Sequence, residues 1–213
     1  MILDFSSNSE VQYSLTCSNQ SSTAWYFYIY QRVENQTEDN LYSLVWMVSP
    51  YKIGMQSFIT FKWSACYSFY WLNTGKLQPG IVASSGGLKN ADLSTANSTT
   101  FDIKDNTPQF WIPIQTMPQG VFSIAQSANI PNGVFSTGMG MSDFPILIKQ
   151  SLTNTIQTFG VNTTYWVAAS TQQTKVMQVL SQDNISNSAS FTFPLNQYNL
   201  TTILAQDNTW SIQ

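Results

Sequence analysis

The 213-residue chain contains no histidine, one arginine (Arg32) and two cysteines, Cys17 and Cys66. Histidine is the usual general base near neutral pH and the commonest side-chain metal ligand. Its absence excludes Ser-His-Asp and Cys-His catalysis, imidazole-built zinc sites and any histidine pH switch. A single guanidinium provides no cluster for bidentate capture of phosphate or carboxylate. Two thiols are too few for a disulfide framework, so the expectation is a reduced pair of small buried hydrophobes in a cytoplasmic protein. Charge is scarce as well: Asp, Glu, Lys and Arg make up 9% of the chain, against about 25% in ordinary soluble domains. Eight basic and eleven acidic side chains give a net charge of −3. Nucleic-acid affinity comes from neutralised phosphates, so no nucleic-acid partner is expected. No stretch approaches 18 uninterrupted apolar residues, the length a membrane-spanning helix needs. The segment Met1-Ile2-Leu3-Asp4-Phe5 lacks the basic start, apolar run and small-residue cleavage site of an export signal.

Neutral polar groups take the place of charge. The chain holds 17 Asn, 19 Gln and 49 Ser plus Thr, with 43% hydrophobic and 14% aromatic residues for a core. Six N-x-S/T triplets start at Asn19, Asn35, Asn97, Asn162, Asn184 and Asn199. Composition alone supplies about four, so they are read as a by-product of the amide content rather than as glycosylation sites.

Period-two alternation and aromatic or β-branched runs recur along the whole chain, and no long amphipathic helix interrupts them. Val11–Cys17, Ala24–Val33, Leu41–Val48, Ser57–Trp63 and Tyr67–Leu72 read as strands. So do Thr99–Ile103, Phe110–Ile114, Val121–Ala125, Gly133–Met141, Pro145–Gln150, Thr155–Phe159 and Thr164–Ala169. Lys175–Leu180, Ala189–Phe193, Leu200–Ala205 and Thr209–Ile212 complete the series. In Ser57–Trp63 both faces are largely apolar, which predicts a strand covered on both sides. Asn73-Thr74-Gly75, Gln78-Pro79-Gly80 and Pro131-Asn132-Gly133 read as turns. The fold class is therefore all-β, an antiparallel β-sandwich or closed barrel of many short strands. One domain over residues 1–213 is expected, with the small polar segment Gly86–Asn97 as a long loop or linker.

An ordered series of short blocks carries a resemblance. It runs Ser43-Leu44-Val45-Trp46, Phe61-Lys62-Trp63, Tyr67-Ser68-Phe69-Tyr70-Trp71, Thr74-Gly75-Lys76-Leu77-Gln78-Pro79-Gly80 and Ala91-Asp92-Leu93. It continues through Pro118-Gln119-Gly120, Gly138-Met139-Gly140-Met141-Ser142, Tyr165-Trp166 and Asp207-Asn208-Thr209-Trp210. In this order the blocks resemble the RhiA family, the rhizosphere-expressed proteins of rhizobia and their bacterial relatives. Two places depart from the family pattern: Cys66 stands where an acidic residue precedes the Tyr-Ser-Phe block, and Leu88 or Lys89 replaces an aromatic residue. The resemblance implies a compact β protein that is abundant inside cells and tied, in rhizobia, to population density. It implies no activity, cofactor or catalytic residue.

The candidate binding residues are aromatic. Trp25, Phe27 and Ile29 alternate with Tyr26, Tyr28 and Tyr30, which gives one apolar face and one face of phenol hydroxyls. That second face packs against another layer, or stacks on sugar rings or on a second copy of the chain. Trp63, Tyr67 and Trp71, with Trp46 and Trp111, are either core or the lining of a carbohydrate groove. Other patterns fail on chemistry. Ser49-Pro50-Tyr51-Lys52 matches S-x-x-K, but it lacks the helical turn and the S-D-N and K-T-G partners that chemistry needs. Gly138-Met139-Gly140 lacks the third glycine of a dinucleotide fingerprint, and two strand glycines point instead to a bulge or a close backbone approach. Glu34, Glu38 and Asp39 lack the spacing that wraps calcium. Asp102 and Asp105 flank Lys104 without forming a recognisable catalytic pair. No metal or cofactor is expected. The expected function is non-enzymatic: a self-associating structural or accumulating protein whose partner is itself, or alternatively a lectin-like module using Tyr26, Tyr28, Tyr30, Trp63, Tyr67 and Trp71 for a glycan.

Overall fold

The structure is a computed structural model that describes residues 11–32, 40–83, 86–181, 185 and 187–213. Among these residues every regular element is a strand. One sheet has the order β17-β16-β1-β5, from Trp210–Ile212, Asn199–Leu204, Gln12–Asn19 and Ser57–Ser64. A second is β15-β14-β2-β4, from Ser188–Phe191, Tyr165–Ser170, Tyr26–Gln31 and Met47–Val48. The third is β3-β12-β11-β6-β7, from Leu41–Ser43, Phe144–Gln150, Phe135–Met141, Tyr67–Asn73 and Gly86–Ala91. The fourth is β13-β10-β8-β9, from Ile156–Gly160, Val121–Gln126, Ser98–Lys104 and Thr107–Phe110. Among the described residues each sheet keeps two edges without a neighbouring strand, so they form no closed barrel. Pairing is mostly antiparallel, but β1 runs parallel to β16 and β8 parallel to β10.

Alternation sets which side chains go inward. On β5, Phe61 and Trp63 enter the core, as Leu15 and Cys17 do on the adjacent β1. A single buried cluster draws on all four sheets, from Leu15, Phe27 and Trp46 to Phe69, Phe101, Phe122 and Met139. Aromatic pairs tie the facing layers together: Trp71 stacks on Phe101 with ring centres 6.0 Å apart, and Phe27 meets Trp210 at 5.6 Å.

The abundant amides act as internal clamps where other proteins use ion pairs. Asn97 is fully buried; its Nδ2 donates to Met117 O (2.8 Å), and its Oδ1 accepts from the amides of Thr116 and Met117 (3.1 Å each). Asn19, also fully buried, donates to Thr23 O and Ile53 O and accepts from Ser21. Both head N-x-S/T triplets, and both amides are consumed inside the fold, which fits a compositional origin for those triplets.

Several local expectations need correction. Gly86–Ala91, expected as loop, is an edge strand of the five-stranded sheet, because its Gly-rich sequence lies against Trp71 and Leu72 of β6 where side chains would collide. Leu41–Val48 is broken at Leu44–Trp46, and Lys175–Leu180 contributes only isolated bridges, at Gln178 and Val179. Gly138 and Gly140 behave as expected: the register slips between Met139 and Gly140, and a Cβ at either glycine would strike a neighbour. Glu34, Glu38 and Asp39 lie outside the described residues.

Candidate functional site

The six aromatic residues expected to bind a ligand do not form one surface. On β2, Tyr28 and Tyr30 are 6% and 1% exposed and pack with Val45, Ala168 and Leu180. Tyr30 stacks on Trp166 with centroids 6.1 Å apart. Burial raises the phenol of Tyr28 to about 12 and pushes that of Tyr30 upward too. Trp63 is 2% exposed and sits between Trp46 (5.3 Å) and Tyr165 (5.4 Å). None of these three offers a sugar an open ring face. Tyr67 and Trp71 are half-buried and turn their rings toward Phe122 and Phe101. Tyr26, half-buried, lies 5.9 Å below the Lys52 ammonium. Ser49 is buried, and its hydroxyl accepts from Phe27 N at 3.0 Å, a structural bond rather than a nucleophile's setting.

The second face of β5 gives the opposite surprise. It was expected to be covered, yet Phe58 is 68% exposed, and Tyr51 and Met55 in the preceding loop are 65% and 62% exposed. The loop is held from beneath. Ile53 and Trp25 exchange backbone bonds of 2.7 and 3.1 Å, Asn19 Nδ2 reaches Ile53 O at 2.8 Å, and Gln56 N donates to Asn19 O at 2.7 Å. Gln56 turns the chain into β5 with a left-handed φ of 58°. With the backbone fixed inward, the apolar side chains are left outward around a shallow groove of about 410 Å³ lined by Tyr51, Lys52, Gln56 and Phe58 among others. β5 ends its sheet, so its far edge has no strand partner among the described residues. The register sets three rows across the outer face: Phe58, Ser18 and Ile203; Thr60, Thr16 and Thr201; Lys62, Ser14 and Asn199. Thr16 and Thr60 share a 2.9 Å hydrogen bond, and Ser14 donates to Asn199 at 2.7 Å. Lys62 is the one charged residue in that array.

A larger cavity of about 570 Å³ lies at one end of the five-stranded sheet. Three blocks of the sequence resemblance meet there: Tyr67-Ser68, Ala91-Asp92-Leu93 and Ser142. Ser142 and Asp143 take left-handed φ values of 49° and 63° to close the β11–β12 turn. Ser142 fastens that turn to the β5–β6 connection: its hydroxyl accepts from Ser64 N (2.7 Å) and donates to Ser64 O (2.9 Å), and its amide donates to Cys66 O (3.0 Å). Asp92 Oδ1 accepts from the hydroxyls and amides of Ser94 and Thr95, and these bonds lower its carboxyl to about 2. Cys66 lines the same cavity and is exposed, which corrects the expectation of two buried thiols. Cys17 is buried, and both thiols are free. Although Cys66, Asp92 and Asp143 share the cavity, no three metal-ligating side chains come together among the described residues.

Comparison with known proteins gives one consistent answer. The family description RhiA matches residues 10–213. Protein RhiA of Rhizobium leguminosarum bv. viciae is 40% identical over 201 residues, which covers 94% of this chain and 86% of that protein. No solved structure matches.

Proposed function

The chain belongs to the RhiA family, and from that premise we propose that it is a non-enzymatic, self-associating protein that accumulates in the cytoplasm with a second copy of itself as partner. The observation that carries this reading is the open β5 edge, flanked by exposed Phe58, Tyr51 and Met55, on a sheet face with one charge. An unpaired edge strand is a template for another strand unless charge, proline or a bulge blunts it. Over Ser57–Ser64 only Lys62 carries charge, and the Ser142 hydroxyl occupies the backbone N–H and C=O of Ser64, so the edge left open runs over residues 58–62. Antiparallel pairing of two β5 strands about Thr60 sets each Lys62 across from the partner's Phe58, which avoids a lysine–lysine clash and covers both rings. Such a contact is isologous and closes as a two-fold dimer. The net charge of −3 adds little repulsion as copies accumulate. The lack of histidine supports the non-enzymatic part of the reading.

Sedimentation velocity tests it over a roughly hundredfold range of concentration, where a dimer shifts by mass action. The native chain is expected to sediment as a dimer or larger species, and Phe58→Glu as a monomer with an unchanged circular-dichroism spectrum. A native chain that stays monomeric at every concentration sinks the reading.

A further inference from the structure

Trp111 is the one tryptophan of this protein with an open ring. It is 57% exposed, whereas the other six are buried or half-buried. It lies just past β9 on the edge of the β13-β10-β8-β9 sheet, where its amide donates to Thr100 O at 2.9 Å. Its indole Nε1 points to Asp102 Oδ2 at 3.4 Å. The β8–β9 register sets Gln109 opposite Asp102, so Gln109, Trp111, Asp102 and Thr100 share the outer face of the sheet.

The carboxylate of Asp102 is fixed by its other oxygen. Oδ1 accepts from Ser127 Oγ (2.6 Å), Ile103 N (2.9 Å) and Asn129 Nδ2 (3.1 Å). Oδ2 receives only the long bond from Trp111 among the described residues. An oriented anionic acceptor with spare capacity therefore stands at the rim of a fixed, exposed indole. The row continues across the sheet through Thr100 and Ala125 to Ile156, which is 72% exposed on β13. At about 4.8 Å per strand, that row is long enough for several linked sugar rings rather than one.

We propose that this face binds a neutral oligosaccharide, with Trp111 as the stacking platform and Asp102 as the acceptor of sugar hydroxyls. A pyranose has an apolar C–H face and a rim of hydroxyls, and this site has the complementary parts in the same arrangement. Trp111 directs its N–H at Asp102, so the carboxylate lies at the edge of the ring rather than over its face. A group stacked on the indole reaches that carboxylate only through substituents that project past the rim, as hydroxyls do and a compact ammonium does not. Thr100, Ala125 and Thr158 provide a floor of small neutral side chains on the same face. This site is separate from the β5 edge and does not depend on self-association.

The test is calorimetric titration of the Phe58→Glu chain, so that assembly does not mask binding, with cellohexaose, maltohexaose and N-acetylchitohexaose as probes and tetramethylammonium chloride as the cationic control. At least one oligosaccharide is expected to bind and to change tryptophan fluorescence. Trp111→Ala is expected to weaken that binding by about tenfold or more, as loss of one aromatic contact does. Asp102→Asn is expected to weaken it by a similar factor, with circular dichroism and melting unchanged in the Trp111 variant. Failure of all three sugars to bind overturns the proposal. So does sugar binding that is indifferent to Trp111→Ala, or tetramethylammonium binding in place of sugar.

Discussion

The ring of Tyr70 on β6 passes so close to Gly140 on β11 that no Cβ fits between them, and Phe144 O blocks the same space. Gly138, two residues earlier, is confined by Leu147 O and the Ile148 backbone of the neighbouring strand. At Gly140 the Tyr70 ring can partly yield although Phe144 O cannot; at Gly138 all three nearest atoms are backbone. Overpacking of this kind costs about 1–3 kcal/mol. Gly140→Ala is therefore expected to lower stability within that range and Gly138→Ala toward or beyond its upper end. Gly160, with no neighbouring atom within 4 Å of where a Cβ would stand and no left-handed backbone, is the control and tolerates alanine. Urea unfolding monitored by fluorescence ranks the three variants.

The two thiols are expected to differ in reactivity. Cys66 is exposed at the 570 Å³ cavity, whereas Cys17 is fully buried and desolvation holds its thiol well above the ordinary range. Ellman's reagent is expected to label Cys66 promptly in the native protein and Cys17 only on unfolding in guanidinium. Equal, prompt labelling of both thiols in buffer contradicts the burial of β1.

Asp92 carries a pH signature. Hydrogen bonds from Ser94 and then Thr95 lower its folded carboxyl from 3.8 to about 2. A depressed acid adds stability that is present above the unfolded value and is lost as pH falls through the folded one. Asp92→Ala is thus expected to melt a few degrees below the native chain at neutral pH, with the gap narrowing between 3.8 and about 2. Melting curves of the pair across that window decide it.

Asn97 is expected to be the most sensitive of the amides. Alanine there strands the amides of Thr116 and Met117 and the carbonyl of Met117 without their side-chain partner. The expected loss is about 2–4 kcal/mol, or roughly 5–15 °C in melting temperature for a chain of this size. An Asn97→Ala chain that melts with the native protein removes the clamp from the account.

Much of the fold was legible along the chain because alternation is a local signal. The Gln12–Asn19, Tyr26–Gln31 and Ser57–Ser64 strands appear within one or two residues of their expected ends. Gly86–Ala91 was not legible, since its strand character comes from a neighbour that excludes side chains rather than from β propensity of its own. The candidate sites were harder still. Tyr28, Tyr30 and Trp63 have the same aromatic chemistry as Trp111, and only their coverage by other sheets separates core from surface.

The sequence by itself determined the all-β class, the chemistry excluded by missing histidine, and the family, because each is written in local pattern, composition or ordered motif. Tertiary structure decided which face of each strand is covered. Ile59, Phe61 and Trp63 alternate with Phe58, Thr60 and Lys62, and either set could have been innermost. The choice was made by β1 and β16, which join in parallel across 185 residues of chain at Ser14 and Asn199 and present Leu15, Cys17, Leu200 and Leu204 to the core. Burial is a property of neighbours brought together from distant parts of the chain, and period-two alternation specifies only that the two faces differ.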